Sequence, residues 1–423
     1  MNQGMDKRFR YREKNVHDVP VEGSFVRVWS TDGAIDSGMI TQAFRPLIKS
    51  GFVYPYIALM PDYHPGQNAM IGSVIPTRRV VLPSVIGGDL GCGMVAVRLP
   101  LASQEISTHL TDIRKRIADA VPVGTSHNST VTDRVQNNSL WQREPRAPIM
   151  TNRVRNKLIR QFGSLGAGNH FLEIQEDTEE RVWITLHSGS RNLGVLIRNH
   201  YINCGAGEAG IDPKLYSRVA YFEGESELAS DYLFDLQYAL DFAVESRREM
   251  LLRILEIFSA LFPNMHVAGS VDLIGESFDL IHNFVAQEDH WGESLYVHRK
   301  GATRAMKGLM GIVPGSMGSK SYVIEGRGNE YSFCSCAHGA GRAMSRAEAF
   351  RAISEKEFRR SMQQIVYEHD DRLKDESPLA YKDIQRVMRG QRDLVKILYE
   401  LRPRLSVKGV GSSAKEDRED DDS

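Results

Sequence analysis

The strongest constraint on how this chain can fold is a set of glycine-rich turns that carry its chemically versatile side chains. They are Gly87-Gly-Asp-Leu-Gly-Cys-Gly-Met, Gly163-Ser-Leu-Gly-Ala-Gly-Asn-His-Phe, His187-Ser-Gly-Ser-Arg, Pro314-Gly-Ser-Met-Gly and Cys336-Ala-His-Gly-Ala-Gly-Arg. His282-Asn-Phe joins them, directly after the apolar run ending at Ile281. Glycine is needed where a backbone takes positive φ or comes close to a ligand. A polar group on such a turn, at the end of a buried strand, is presented at a sheet edge.

Between these turns short β-branched runs alternate with helical patterns. Phe25-Val-Arg-Val-Trp, Met94-Val-Ala-Val-Arg, Arg181-Val-Trp-Ile-Thr-Leu, Ser294-Leu-Tyr-Val-His and Ser321-Tyr-Val-Ile read as strands. Ile106, Leu110, Ile113, Ile117 and Val121 recur at helical spacing, as do the apolar positions of 230–262, 345–373 and 378–402. No repeat or linker divides the chain. The expected fold is therefore mixed α/β, a single body over 21–409. Residues 1–20 read as a frayed charged arm, 124–152 as a polar surface insertion or flexible loop, and 410–423 as a disordered acidic tail.

The charge balance, 53 Lys and Arg against 54 Asp and Glu over 423 residues, excludes a binder of nucleic acid by bulk charge. Cys92, Cys204, Cys334 and Cys336 are too few for a disulfide framework. The N-terminus is polar and has no apolar signal core, and no run approaches about 18 apolar residues. A reduced, cytoplasmic protein without a membrane span is expected. There is no phosphate-binding P-loop, no dinucleotide-binding Gly-x-Gly-x-x-Gly unit and no Lys-x-Asp-Gly motif, so the commonest nucleotide-enzyme frameworks are excluded.

Asp89 and Cys92 lie three apart on one turn and ionise to a carboxylate and a thiolate, a pair suited to Mn²⁺, Zn²⁺ or Fe²⁺. A turn carboxylate beside a packed thiol is the alternative. His170, His187 and His282 each follow a strand or glycine turn, and with that pair they offer five ligands to one or two ions. His338 is different. It precedes Gly339-Ala-Gly-Arg342 and a helix carrying Arg346, which together read as a phosphate cradle beside an imidazole able to act as base or nucleophile. A helix-end histidine with solvated arginines is the plainer alternative. Cys334 and Cys336 have the wrong spacing for a redox pair and read as buried neighbours of the site.

Taken together, Asp89-Leu-Gly-Cys-Gly-Met, Gly163 to Glu173, Leu186-His-Ser-Gly-Ser-Arg191, Pro314 to Gly318, Ser335 to Arg346 and Ala380-Tyr-Lys-Asp-Ile closely resemble the RtcB family of RNA-splicing ligases, in one order from about Val26 to Gly409. The resemblance implies that Asp89, Cys92, His170, His187 and His282 hold two Mn²⁺ ions and that His338 takes GMP from GTP as a covalent phosphoramidate. It implies guanylate contacts from Asn169, His170, Phe171, Leu172 and Glu173; from His282 and Asn283; from Pro314, Gly315, Ser316, Met317 and Ser321; from His338, Gly339, Ala340 and Gly341; and from Tyr381 and Lys408. Arg191, Arg342 and Arg346 match arginines that hold RNA or nucleotide phosphates. The implied substrates are RNA 3′-phosphate or 2′,3′-cyclic phosphate ends and 5′-hydroxyl ends, as in RNA repair or tRNA splicing. A monomeric state and an archease-like activator are expected with them. Gln67-Asn68 departs from the family, many members of which carry a basic residue after the preceding glycine, and this bears on end preference. A two-metal phosphoesterase acting on RNA 3′ ends is the alternative activity, and a non-catalytic RNA binder a third.

Overall fold

The computed structural model describes residues 6–31, 35–265 and 277–410. Two sheets organise them. The first runs Val16–Val21, Ser24–Trp29, Ile57–His64, Ile71–Thr77, Glu293–Lys300, Asn283–His290, with a parallel pairing between the second and third strands. The second runs Ser277–Ile281, Gly93–Ala102, Arg181–Ser188, Phe171–Glu176, Val395–Lys408, Ser321–Gly326, Met310–Val313, antiparallel throughout. The mixed α/β expectation holds, and the five runs read as strands all lie in these sheets.

The sheets share an apolar cluster that takes in Trp29, Val74 and Val297 from the first and Val313, Ile324 and Val395 from the second. Along the chain, a single residue joins an edge of one to an edge of the other. His282 sits between Ser277–Ile281, an edge of the second sheet, and Asn283–His290, an edge of the first. Its N–H donates to Cys92 O at 2.9 Å, so the turn before Gly93–Ala102 is tied to the same junction.

The helix Glu227–Leu261 spans 35 residues, capped by Ser226, whose hydroxyl accepts from Ala229 N. Its first half contributes Tyr232, Leu236, Ala239 and Phe242 to one apolar cluster, and its second half adds Met250, Ile254 and Phe258 to another. One rigid rod thus joins two cores and passes behind the turns that carry Cys92 and His187.

Several expectations need correction. Residues 6–20 are not a frayed arm, because Phe9 is buried and Val16–Val21 pairs with Ser24–Trp29. The charges around Phe9 hide one anchoring aromatic from any periodicity argument. The stretch 124–152 is not a loose loop either: Val135, Leu140, Trp141 and Ala147 enter the core. The backbone N–H groups of Arg146 and Ala147 donate to the buried Asp235 at 2.6 and 2.8 Å, so a distant carboxylate supplies what a regular element would have supplied locally. In 345–373 helicity is confined to Arg346–Ala352, Glu355–Ser361 and the 3₁₀ turn Asp371–Glu376. In 378–402 it is confined to the 3₁₀ turn Pro378–Ala380 and the helix Ile384–Gly390, after which Val395–Lys408 is a strand. Apolar positions at helical spacing gave the helical reading, but strands on both sides claim the backbone of Val395–Lys408. Pro403, which has no N–H, falls where the register shifts. The tail 411–423 lies outside the described residues.

Candidate metal and nucleotide site

Cys92 precedes its strand, His170 precedes Phe171–Glu176 and His187 is the penultimate residue of Arg181–Ser188, so all three reach the same end of the second sheet. Cys92 Sγ is 3.5 Å from His170 Nε2 and 3.0 Å from His187 Nε2. His187 Nε2 is in turn 2.9 Å from His282 Nε2. His170 Nδ1 faces Leu165 O at 3.0 Å and His187 Nδ1 faces Asn169 O at 3.2 Å. A carbonyl accepts only from N–H, which assigns the proton to Nδ1 and turns both Nε2 lone pairs toward the thiol.

Asp89 adjoins this group, and its charge, after burial, helps to push the Cys92 thiol up. It can approach because residue 189 is glycine; a Cβ there would stand 2.4 Å from Asp89 Oδ1. Burial drives the three imidazoles well below their ordinary titration range and pushes Asp89 and Cys92 up. Buried sulfur and imidazole donors converging with a carboxyl suit a borderline divalent cation, whose charge would ionise the acid and the thiol and separate the crowded lone pairs. Arg191 closes this side. It has φ 57°, its Nη2 donates to Gly124 O at 3.1 Å, and a Cβ at Gly166 would strike its Nη1 at 1.8 Å.

His338 abuts the cluster, its ring centroid 4.8 Å from that of His282. Asp62 Oδ2 lies 2.7 Å from His338 Nδ1 and accepts from the backbone N–H of His338 at 3.1 Å and of Gly339 at 3.2 Å. Nδ1 is thereby engaged as a donor and Nε2 left as the nitrogen with a lone pair. Sequence reading gave Asp62 no role, although an acid inside the fully buried run Ile57–Tyr63 had to have a partner.

A cavity of about 550 Å³ opens beside His338. Among the expected guanylate residues, Asn169, Phe171, Glu173, Pro314 to Met317, His338 to Gly341, Tyr381 and Lys408 line it. Others stand behind it. Leu172 points into the core from the opposite face of its strand. Ser321 Oγ accepts from Gln175 Nε2 at 3.0 Å, and the same nitrogen donates to Glu173 at 2.7 Å. Asn283 braces the junction, donating to Asp89 O and accepting from Gly301 N.

Arg342 and Arg346 also line the cavity, but carboxylates hold them there. Arg346 Nη1 is 2.6 Å from both Asp375 Oδ2 and Glu376 Oε1, and Arg342 Nη1 is 3.3 Å from Glu376 Oε1. The helix at Arg346 has seven residues, and its cap Ser345 already accepts from Glu348 N. The cradle is thus built from side chains rather than from a long helix end. Glu376 also accepts from Tyr381 Oη at 2.7 Å and pairs with Lys408. Burial alone would raise its carboxyl, yet Lys408, Arg346 and Arg342 outweigh burial and hold it below the usual range. Sequence reading missed Glu376, although an Asp-Glu pair ahead of Tyr381 offered a counter-charge for the arginines. Cys336 is buried in the core behind His338, Cys334 half-buried, and all four cysteines are free thiols.

A soft-donor metal cluster, a carboxylate-held histidine and a nucleotide-sized cavity with guanidinium groups on its wall define the class: a metal-assisted phosphoryl or nucleotidyl transfer site. Residues 45–409 match the family model described as tRNA-splicing ligase RtcB. The RNA-splicing ligase RtcB of Escherichia coli (strain K12) is 37% identical over 415 residues, covering 93% of this chain and all of the relative. The tRNA-splicing ligase RtcB of Nanoarchaeum equitans is 28% identical over 484 residues, with 96% of this chain and all of the relative aligned. The chain belongs to the RtcB family of RNA ligases.

Proposed function

We propose that this protein is an enzyme that ligates RNA ends, in repair or tRNA splicing, through guanylylation of His338. The observation that carries the reading is the placement of His338: Nδ1 held by Asp62, the metal-ligand cluster at one side and the guanidinium-lined cavity at the other. His338 Nε2 attacks the α-phosphorus of GTP, a P–N bond forms and pyrophosphate leaves. GMP then passes to an RNA 3′-phosphate, itself released by hydrolysis where the end is a 2′,3′-cyclic phosphate. A 5′-hydroxyl attacks the activated phosphate, closing the phosphodiester and expelling GMP. Asp62 holds the ring by Nδ1, so that Nε2 faces the phosphate, and stabilises the charge the ring acquires. Glu173, Tyr381 and Lys408 orient the base, while Arg342 and Arg346 can turn from their carboxylates to phosphate oxygens.

Asp89, Cys92, His170, His187 and His282 would hold Mn²⁺, two ions in this reading, supplying charge neutralisation at the reacting phosphates. The four free thiols suit a reducing compartment, the cytoplasm in this reading, and among the described residues no helix is long and apolar enough to cross a membrane. The enzyme works as a monomer, with an archease-like activator as its expected partner.

The test is incubation with labelled GTP and Mn²⁺. The protein should acquire acid-labile label, and His338→Ala should abolish label and ligation while the fold and metal content persist. RNA-end hydrolysis without any label would instead indicate the phosphoesterase.

A further inference from the structure

The helix Glu227–Leu261 buries a cation that the ligation chemistry leaves unused. Arg247 has no exposed surface. Its Nε and Nη2 donate to Asp279 Oδ2 and Oδ1 at 2.8 and 2.7 Å, a two-pronged pair. Nη1 donates to Gly91 O at 3.0 Å and Ser188 O at 2.6 Å. Each acceptor adjoins a different ligand-bearing segment. Gly91 immediately precedes Cys92, Ser188 immediately follows His187, and Asp279 lies on the strand that delivers His282. Residue 93 must stay small for this approach, since a Cβ there would lie 3.1 Å from Arg247 Nη2 and 2.5 Å from Leu280 O.

A buried ion pair is a poor source of stability, because well-packed apolar residues usually do as well. A guanidinium has another property: its planar fork fixes the angles among the groups it binds. Here those groups come from three segments distant in sequence, whose donors run in a chain, Cys92 Sγ to His187 Nε2 at 3.0 Å and His187 Nε2 to His282 Nε2 at 2.9 Å.

We infer that Arg247 is a positioning residue of the metal centre: it locks the Gly91–Cys92, His187–Ser188 and Asp279–His282 segments together so that Cys92, His187 and His282 hold ligand spacing before an ion arrives. This rests on the metal reading proposed above. Lysine keeps the charge but cannot span three acceptors, so Arg247→Lys loosens the spacing. Asp279→Asn removes the counter-charge and one prong while leaving both carbonyl bonds.

The test uses the full chain, stripped with chelator, as wild type, Arg247→Lys and Asp279→Asn. Mn²⁺ and Co²⁺ are titrated alone by calorimetry, Co²⁺–thiolate absorption is recorded, and the metal-free proteins are melted. Mn²⁺ affinity is expected to fall about 10- to 100-fold in Arg247→Lys and less in Asp279→Asn, with an altered Co²⁺ spectrum. A purely structural arginine would lower the metal-free melting temperature and leave the affinity of the folded protein unchanged, which would overturn the inference. If Arg247→Lys does not fold, unchanged affinity and spectrum in Asp279→Asn overturn it equally. A wild-type protein that binds neither ion would overturn the metal reading itself, an outcome separate from wild-type binding that both variants share.

Discussion

Asp62 grips His338 at three points with one oxygen: the ring Nδ1 at 2.7 Å, the backbone N–H at 3.1 Å and, through Gly339, the next N–H at 3.2 Å. The same carboxylate therefore sets the tautomer of the ring and the path of the glycine turn after it. Residue 341 must be glycine for this to hold, because a Cβ there would meet Asp62 O at 1.9 Å. Asp62→Asn keeps the shape and an acceptor oxygen but removes the charge, so the imidazole loses the counter-charge for the positive charge it acquires on attack. Guanylylation by labelled GTP is expected to slow by about 10²- to 10⁴-fold, with the residual label as acid-labile as in wild type. Mn²⁺ content should be unchanged, since Asp62 is not among the ligands. Normal guanylylation in this variant would remove Asp62 from the mechanism.

Cys92 is the soft donor of the cluster, and Cys92→Ser replaces it with a harder, shorter hydroxyl that ionises far less readily. Weaker Mn²⁺ binding and a relative gain for Mg²⁺ are expected. Ligation compared across Mn²⁺, Co²⁺ and Mg²⁺ measures this, and an unchanged order of preference would place Cys92 outside the coordination sphere.

Local chemistry was legible in the sequence wherever a glycine turn announced it. Asp89, Cys92, His170 and His338 lie on such turns, His187 stands just before one at a strand end and His282 links two strands, and all come together at one end of one sheet and its junction with the other. What stayed hidden were partners remote in sequence. Asp62 lies 276 positions from His338 and Glu376 lies 32 from Lys408, and neither spacing has a periodicity to betray it. Arg247 looked like one charge among many on a long helix, because only tertiary folding turns that face toward the ligand loops. The strand Val395–Lys408 was misread for a related reason: its neighbours in the sheet, not its own pattern, decide its conformation.

Glu173 supplies a pH-dependent test. Burial pushes its carboxyl up from 4.5 to about 8, although Lys408, Ser406 and Gln175 act in the other direction. The folded acid keeps its proton where the unfolded one has lost it. The stabilisation this linkage gives is present in full below about pH 4.5 and is lost as pH rises through about 8. Unfolding free energy of wild type relative to Glu173→Gln should thus decline by at most about 1.4 kcal/mol per pH unit across that window. A carboxylate that receives guanine N–H donors must be ionised, so the GTP KM of wild type should fall as pH approaches 8. Glu173→Gln should raise KM by about 10- to 100-fold and flatten that dependence, as loss of a charged hydrogen bond requires. A pH-independent KM in wild type would take Glu173 out of base recognition.

Phe9 tests whether the N-terminal segment belongs to the fold. Its ring makes edge contacts with Tyr54, Tyr56 and Trp291 at centroid distances of 6.1, 5.9 and 5.3 Å. Its carbonyl accepts from Arg27 Nη2 at 2.8 Å, and Arg27, fully buried, also pairs with Asp18. Removing the ring leaves the arginine bonded but opens a cavity among large aromatic side chains that cannot collapse into it. Phe9→Ala is expected to destabilise the protein by about 3–5 kcal/mol in urea unfolding, the range for a buried aromatic truncated to alanine. Phe9 has no contact with the metal cluster or the cavity, so guanylylation per folded molecule should stay at the wild-type level. A loss below about 1 kcal/mol would mean that the segment frays in solution, since exposed positions rarely contribute more.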